Sequence, residues 1–293
     1  MNARPASCWQ LPDRSLPLGP LPCLMGIINV TPDSFSDGGQ CESQQQAVER
    51  AIQLVSDGAG IIDVGGESTR PASQPVSLKE ELARVIPVIE QLCSQLDVPV
   101  SIDTSKAEVA RQAIAAGAEI INDVSGLEGD PAMLDVALES AVGVCLMHMQ
   151  GNPQTMQDNP QYHDVVQEIF DYLAARRDAL QAAGIVRDRI CLDPGIGFGK
   201  THQHNLTLLA NSYRFHELGC PLLVGHSRKG YIASVLGDKQ LDRTAGTIGT
   251  GLALAQQGVQ LIRVHDVAPV SQALALFAAS GGLDCLNNQH QID

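Results

Sequence analysis

The sequence predicts a single-domain α/β protein, a (β/α)8 TIM barrel, from three observations. From Cys23 onward, a short β-rich run, a polar or glycine-rich loop and a segment of helical period recur eight times in about 260 residues. Aromatic residues are only 3% of a chain that is 44% apolar, so its core must rest on Leu, Ile, Val and Ala, the usual filling of parallel strands covered by helices. Nearly every run ends in a polar residue, with ends near Asn29, Asp63, Asp103, Asn122, Met147, Asp193, Gly225 and His265. Alternating strands and helices require parallel strands joined by right-handed crossovers. An open doubly wound sheet would gather its polar ends at one switch point, whereas ends spread over almost every strand favour a closed barrel.

Residues 1–20 form a Pro-rich lead-in, 21–280 the barrel and 281–293 a polar tail. In the first unit an apolar run reaches Asn29. The loop Pro32-Asp33-Ser34-Phe35-Ser36-Asp37-Gly38-Gly39 then brings two carboxylates, hydroxyls and an aromatic close together, more chemistry than a connector needs. Its helix is expected to start with a capping box at Ser43-Gln44-Gln45-Gln46 and shows apolar positions Val48, Ile52 and Val55. The second unit runs through Asp63 into Gly65-Gly66-Glu67-Ser68-Thr69-Arg70-Pro71. A helix follows from Ser77, with Leu82, Val85, Ile86, Ile89, Leu92 and Leu96 on one face.

The third strand ends at Asp103-Thr104, ahead of a helix after Ser105-Lys106. Either residue also reads as an N-cap, worth about 1 kcal/mol. The fourth ends in Asn122-Asp123-Val124-Ser125-Gly126. The fifth ends at Met147 and is followed by a longer polar loop, Gln150–Gln161, and a helix through Val165, Ile169, Leu173 and Leu180. After the sixth strand, Asp193-Pro194-Gly195-Ile196-Gly197-Phe198-Gly199-Lys200-Thr201 meets neither the dinucleotide nor the P-loop glycine spacing. It reads as a turn that brings backbone close to a ligand beneath Asp193. The seventh unit ends in Gly225-His226-Ser227-Arg228-Lys229-Gly230, and the eighth strand carries Arg263 and His265.

With 19 basic and 33 acidic residues the net charge is −14 and there is no basic run, which argues against nucleic acid or an anionic membrane as partner. Eight scattered cysteines without a C-x-x-C pair read as free thiols in a reducing compartment. Residues 1–20 lack a charged segment followed by an apolar one, and no stretch approaches the ~18 apolar residues of a membrane span, so a cytoplasmic protein is expected.

The carboxylates and amide of Asp103, Asn122 and Asp193 at one barrel mouth suit a flat heterocycle rich in N–H donors, since an ionised carboxylate accepts two bonds at once. Met147 and Phe198 could sandwich such a ring, although Met147 alone reads first as core. Arg263 and His265 lie two apart on a strand and so face the same way. Together they suit a phosphate or diphosphate; the alternative is an Arg263–Asp266 pair beside a satisfied histidine. Lys229 reads either as a site cation or as a surface lysine at a helix start. His202 and His204 point apart on a helix and do not make a zinc pair.

The motifs Asn29–Gly39, Gly65–Pro71, Ser101–Ser105, Asn122–Gly126, Met147–Pro153, Leu192–Thr201, Ser227–Lys229 and Arg263–Asp266 together resemble those of the dihydropteroate synthases, over roughly residues 22–280. The resemblance implies condensation of hydroxymethyl-dihydropterin diphosphate with para-aminobenzoate to dihydropteroate and pyrophosphate, by a dissociative route, in a homodimer. By the same resemblance, the pterin would meet Asp103, Asn122, Asp193 and Lys229, walled by Met147 and Phe198. The diphosphate would meet Asn29, Thr69, Arg70, Arg263 and His265, with Mg²⁺ on Asn29. Para-aminobenzoate would meet Phe35, Pro71, Ser227 and Lys229. The catalytic groups implied are Asp33, Arg70, Asp103, Lys229, Arg263 and His265. Ala72 stands where the family has glycine, and His226 occupies a variable position. The rival readings are a methyltetrahydrofolate–corrinoid methyltransferase and a catalytically silent pterin-binding paralogue.

Overall fold

The apolar runs that end in polar residues are strands, and each main-sheet strand lies parallel to the next. The computed structural model describes residues 5–30, 40–69 and 73–283. In chain order, a hairpin of β1 (Cys8–Gln10) and β2 (Ser15–Pro17) precedes the first three main strands, β3 (Cys23–Asn29), β4 (Ile61–Gly65) and β5 (Val100–Asp103). They are followed by β6 (Ile120–Asp123), β7 (Gly143–Met147), β8 (Ile190–Asp193), β9 (Leu223–Val224) and β10 (Leu261–Val264). The sheet order is β8-β7-β6-β5-β4-β3-β10-β9. A parallel bridge between Leu192 and Leu222 joins the two ends and completes the barrel.

The crossovers carry α1 (Gln40–Ser56), α2 (Leu78–Gln95), α3 (Ala107–Ala115), α4 (Met133–Glu139), α5 (Val165–Ala183) and α6 (His202–Ala210). β9 is followed by both α7 (Gly230–Leu236) and α8 (Thr244–Gln256), and β10 by α9 (Val267–Ala279). Local rules account for some of the boundaries. Ser77 caps α2 by accepting from the Glu80 N–H, and the helix buries Val85, Val88, Ile89 and Leu92. α5 buries Val165, Ile169, Leu173 and Leu180, is capped by Asp164, and stops at Gly184 in the left-handed region. The start of α1 differs from expectation: the helix begins at Gln40, so Ser43 lies inside it rather than at its cap.

Two apolar layers form, because alternate residues of each strand face opposite ways. One lies between strands and helices. The other fills the lower barrel interior with Met25, Ile61, Ile120, Cys145, Cys191, Leu223 and Leu261, joined by Trp9 and Leu11 of the hairpin. The lead-in is therefore a plug for the N-terminal end of the barrel. Trp9 is fully buried and donates its indole N–H to the Arg189 carbonyl at 2.9 Å. Gly143 makes this possible, since a Cβ there would sit 2.6 Å from Leu11 Cδ2 and 3.0 Å from the indole nitrogen. With the lower layer sealed by apolar groups, the residues two steps further along each strand form the floor of the open C-terminal mouth.

Candidate active site

Stepping two residues up from Ile61, Ile120, Cys145, Cys191 and Leu261 reaches Asp63, Asn122, Met147, Asp193 and Arg263. The register sets Asp63 beside Ser101, Asp103 beside Asn122, and Met147 beside Asp193, so the same layer continues around the wall. Asp63, Asp103, Asn122, Met147 and Asp193 are all buried. Three carboxylates thus crowd one low-dielectric mouth, with cations among them.

Arg263 is the hub. Its Nε donates to Asp63 Oδ2 at 2.6 Å and its Nη2 to Asp103 Oδ2 at 2.7 Å. Asn122 Nδ2 also donates to Asp63 Oδ2 at 3.1 Å. Burial raises the Asp103 pKa to about 7, helped by the nearby charge of Asp63 and opposed by Arg263. Burial works against the Arg263 charge, but Asp63 and Asp103 outweigh it and hold the guanidinium protonated more firmly than usual. Asp63, at the strand end of the second unit, had no role in the sequence reading; an aspartate inside Ile61-Ile62-Asp63-Val64 was the signal for it. Only the register across β10, β3 and β4 shows that it meets Arg263.

On the opposite side, Asp193 Oδ1 accepts from the Gly195 N–H at 2.7 Å. Burial raises its pKa, while that bond and the charges of Lys229, Lys200 and Arg263 oppose the rise. Lys229 donates to the Ile196 carbonyl and sits over the Phe198 ring, 4.2 Å from its centroid. Burial brings the Lys229 pKa down to about 7, with Asp193 pulling it back up. Lys229 is the residue before α7, but it turns into the mouth rather than out to solvent. Asp103, Asn122, Asp193, Lys229, Met147 and Phe198 are therefore brought together. Asp103 serves the barrel interior, while the first N–H of α3 is capped by Asp130 at 2.9 Å.

Arg263 and His265 find different partners. His265 Nδ1 lies 3.0 Å from the Ser227 hydroxyl, and its main-chain N–H donates to the same oxygen at 3.3 Å. Asp266 accepts from Arg228 Nε and Nη2, at 2.8 and 2.6 Å, so it is not the partner of Arg263. Arg228 itself has φ 57°. The buried His226 accepts no ligand role here: its Nε2 lies 2.9 Å from the Thr247 carbonyl, and burial lowers its pKa to about 4. His204 closes a capping box with Thr201 at the start of α6.

Asn29 ends β3, half-buried at the rim, and Thr69 is half-buried on the loop after β4. Asp33, Phe35, Arg70 and Pro71 lie outside the described residues. The loop that leads to Arg70 is anchored at Glu67, whose carboxylate accepts from Lys106, as does that of the buried Glu81. Lys200 is a second residue that sequence reasoning missed. A lysine after a glycine-rich turn carries no local sign of burial, yet only 2% of it is exposed.

Residues 25–265 match the model of the family described as pterin binding enzyme. The chain is 48% identical over 259 residues to dihydropteroate synthase of Escherichia coli strain K12, covering 88% of this chain and 92% of that one. Its fold is similar to that of Xanthomonas albilineans dihydropteroate synthase, solved with 4-aminobenzoic acid (TM-score 0.87, 45% identity, 94% and 98% of the two chains). It is likewise similar to the Burkholderia cenocepacia enzyme, solved in complex with 7,8-dihydropteroate (TM-score 0.85, 41% identity, 97% and 99%).

Proposed function

The chain belongs to the dihydropteroate synthases, and on that premise we propose that it condenses hydroxymethyl-dihydropterin diphosphate with para-aminobenzoate, giving dihydropteroate and pyrophosphate for folate biosynthesis. The observation that carries this reading is that Asp103, Asn122, Met147 and Asp193 stand at the strand ends of one mouth as buried side chains, with Lys229 over the Phe198 ring beside them. Ring N–H and amino groups of a pterin need acceptors, which the carboxylates and the Asn122 amide oxygen supply. Lys229, a donor, suits the ring carbonyl. Met147 and Phe198 offer a soft sulfur and a π-face to the flat ring.

In the reaction, the bond from the exocyclic methylene carbon to the diphosphate oxygen breaks, and a bond from that carbon to the aryl amine nitrogen forms. The amine then releases one proton to water or to pyrophosphate. An electron-rich dihydropterin carries the positive charge that develops on the methylene, and Asp103 and Asp193 favour the charged ring. Asp33 is assigned as an additional carboxylate for that cation. Aryl amines are neutral near pH 7, so no strong general base is needed.

Arg263 spends two of its five N–H groups on Asp63 and Asp103, and the others are assigned to the departing diphosphate, with Arg70, Thr69, Asn29 and His265 at the rim. Phe35, Pro71, Ser227 and Lys229 are assigned to para-aminobenzoate. Among the described residues no three His, Cys, Asp or Glu side chains gather as a metal cage. A single amide oxygen from Asn29 fits Mg²⁺ that keeps its waters and arrives on phosphates. When bound, such an ion would stabilise the charge of the leaving group.

No helix among the described residues is long and apolar enough to cross a membrane. We read the protein as cytoplasmic and as a homodimer, the latter supported by Val235 and Leu236 of α7, which are exposed apolar side chains. Sedimentation at the mass of a single chain would refute the dimer.

The decisive experiment is pyrophosphate release from the dihydropterin diphosphate and Mg²⁺, with and without para-aminobenzoate. Release that requires para-aminobenzoate and yields dihydropteroate is expected. Pterin binding without release would point to a silent paralogue, and turnover of methyltetrahydrofolate to the corrinoid methyltransferase.

A further inference from the structure

Lys200 is a buried titratable group to which the pterin-binding reading gives no task. Lys200 follows the glycine-rich turn after β8, and its side chain runs back beneath that turn. Its amine lies 2.8 Å from the Phe198 carbonyl, 3.2 Å from the His148 carbonyl and 3.0 Å from His148 Nδ1. Phe198 and His148 belong to different segments, the turn after β8 and the exit of β7, so the amine ties the two together.

The rest of the junction is equally restrained. The His148 main-chain N–H donates to the Asp193 carbonyl at 3.0 Å. The His148 ring stands edge-on to Tyr172, with centroids 4.9 Å apart. Gly195, at φ +70°, packs so closely on the His148 carbonyl that a Cβ would collide with it. Burial drives the Lys200 pKa well down and holds the His148 pKa at about 3. Desolvating an amine costs free energy that a methionine of similar length would not incur. What the amine supplies in return is directional: three bonds that fix one segment against the other.

We propose that Lys200 and His148 form a clip that sets the spacing between Met147 and Phe198, and with it the width of the slot for the flat face of the pterin. Lys200 is then a positioning residue, acting through the two walls. The inference rests on the pterin-binding reading. It adds a determinant of ring affinity outside the residues that meet the ring.

The test is the Lys200→Met variant, which keeps the stem and removes the three bonds. Its Kd for 6-hydroxymethylpterin, a probe without the diphosphate, is expected to rise on the order of tenfold, because the walls lose their fixed spacing. The KM for para-aminobenzoate should stay within about twofold, since that substrate does not lie between the walls. His148→Phe keeps a ring against Tyr172 but loses Nδ1. It should shift pterin Kd the same way by less, and the double variant should fall short of the product of the two effects. If Lys200→Met shows no cooperative melt, His148→Phe decides alone.

A folded Lys200→Met protein with parental pterin Kd would overturn the clip, as would equal weakening of both substrates. Failure of the parent protein to bind 6-hydroxymethylpterin would overturn the pterin-binding reading itself, and the clip with it.

Discussion

Replacing Asp103 by asparagine separates the cost of a buried charge from its use. Asp103 is buried with Asp63 nearby, and its pKa rises from an ordinary 3.8 to about 7 even though Arg263 Nη2 is 2.7 Å away. In the unfolded chain it titrates near 3.9. Between about pH 4 and about pH 7 the folded protein therefore holds a proton that the unfolded chain has released. This group's contribution to stability is complete below about pH 4 and is lost as pH rises through about 7. At about 1.4 kcal/mol per pH unit, the whole window is worth about 4 kcal/mol. Asparagine has no proton to lose and keeps a carbonyl that can accept from Arg263.

Urea unfolding, followed through Trp9, the chain's single tryptophan, should therefore show Asp103→Asn gaining on the parent as pH rises from about 4 to about 7, by up to about 4 kcal/mol. Turnover of the variant should fall behind that of the parent over the same range, because a neutral amide cannot favour a cationic ring as the ionised Asp103 does. A constant stability gap across this range would mean that Asp103 does not titrate there, and the electrostatic reasoning would fail.

Three further outcomes are expected. Asp193→Ala removes the acceptor beneath the glycine-rich turn and should weaken pterin binding by about 1.5–3 kcal/mol, read by titration with a pterin lacking phosphates; an unchanged Kd would remove Asp193 from the pterin site. Arg263→Ala leaves Asp63 and Asp103 buried without their shared cation and should cost about 3–5 kcal/mol in urea unfolding. Pyrophosphate release should be lost, while the folded fraction still binds the phosphate-free pterin; equal loss of binding would leave Arg263 with a folding role only. Trp9→Ala empties the barrel plug and should cost about 3–5 kcal/mol, read as a lower Tm, with turnover per folded molecule unchanged. A drop in turnover beyond the loss of folded protein would contradict the plug's purely structural role.

Much of the architecture was legible because strands and helices write their periods into local sequence. Met147, Asp193 and Arg263 stand two residues beyond the apolar floor residues Cys145, Cys191 and Leu261, and this alternation alone assigns them to the open mouth. Ser77 and Asp164 cap helices through partners within three residues, so nearby sequence is enough to find them. Ser43 misled because a capping pattern does not exclude an earlier helix start.

The sequence by itself determined the eight units, the family motifs and the residue types gathered at the mouth, since all of these are local in the chain. Tertiary structure alone decided who meets whom. Arg263 and Asp63 are 200 positions apart, and only the register across β10, β3 and β4 makes them a pair instead of Arg263 and Asp266. The lead-in becomes a plug because the barrel has an open apolar end for Trp9 to fill. Lys200 becomes buried because a neighbouring segment presents acceptors to its amine. A side chain's preferences travel with its sequence, but its partners, its solvation and hence its pKa are fixed when distant strands close around it.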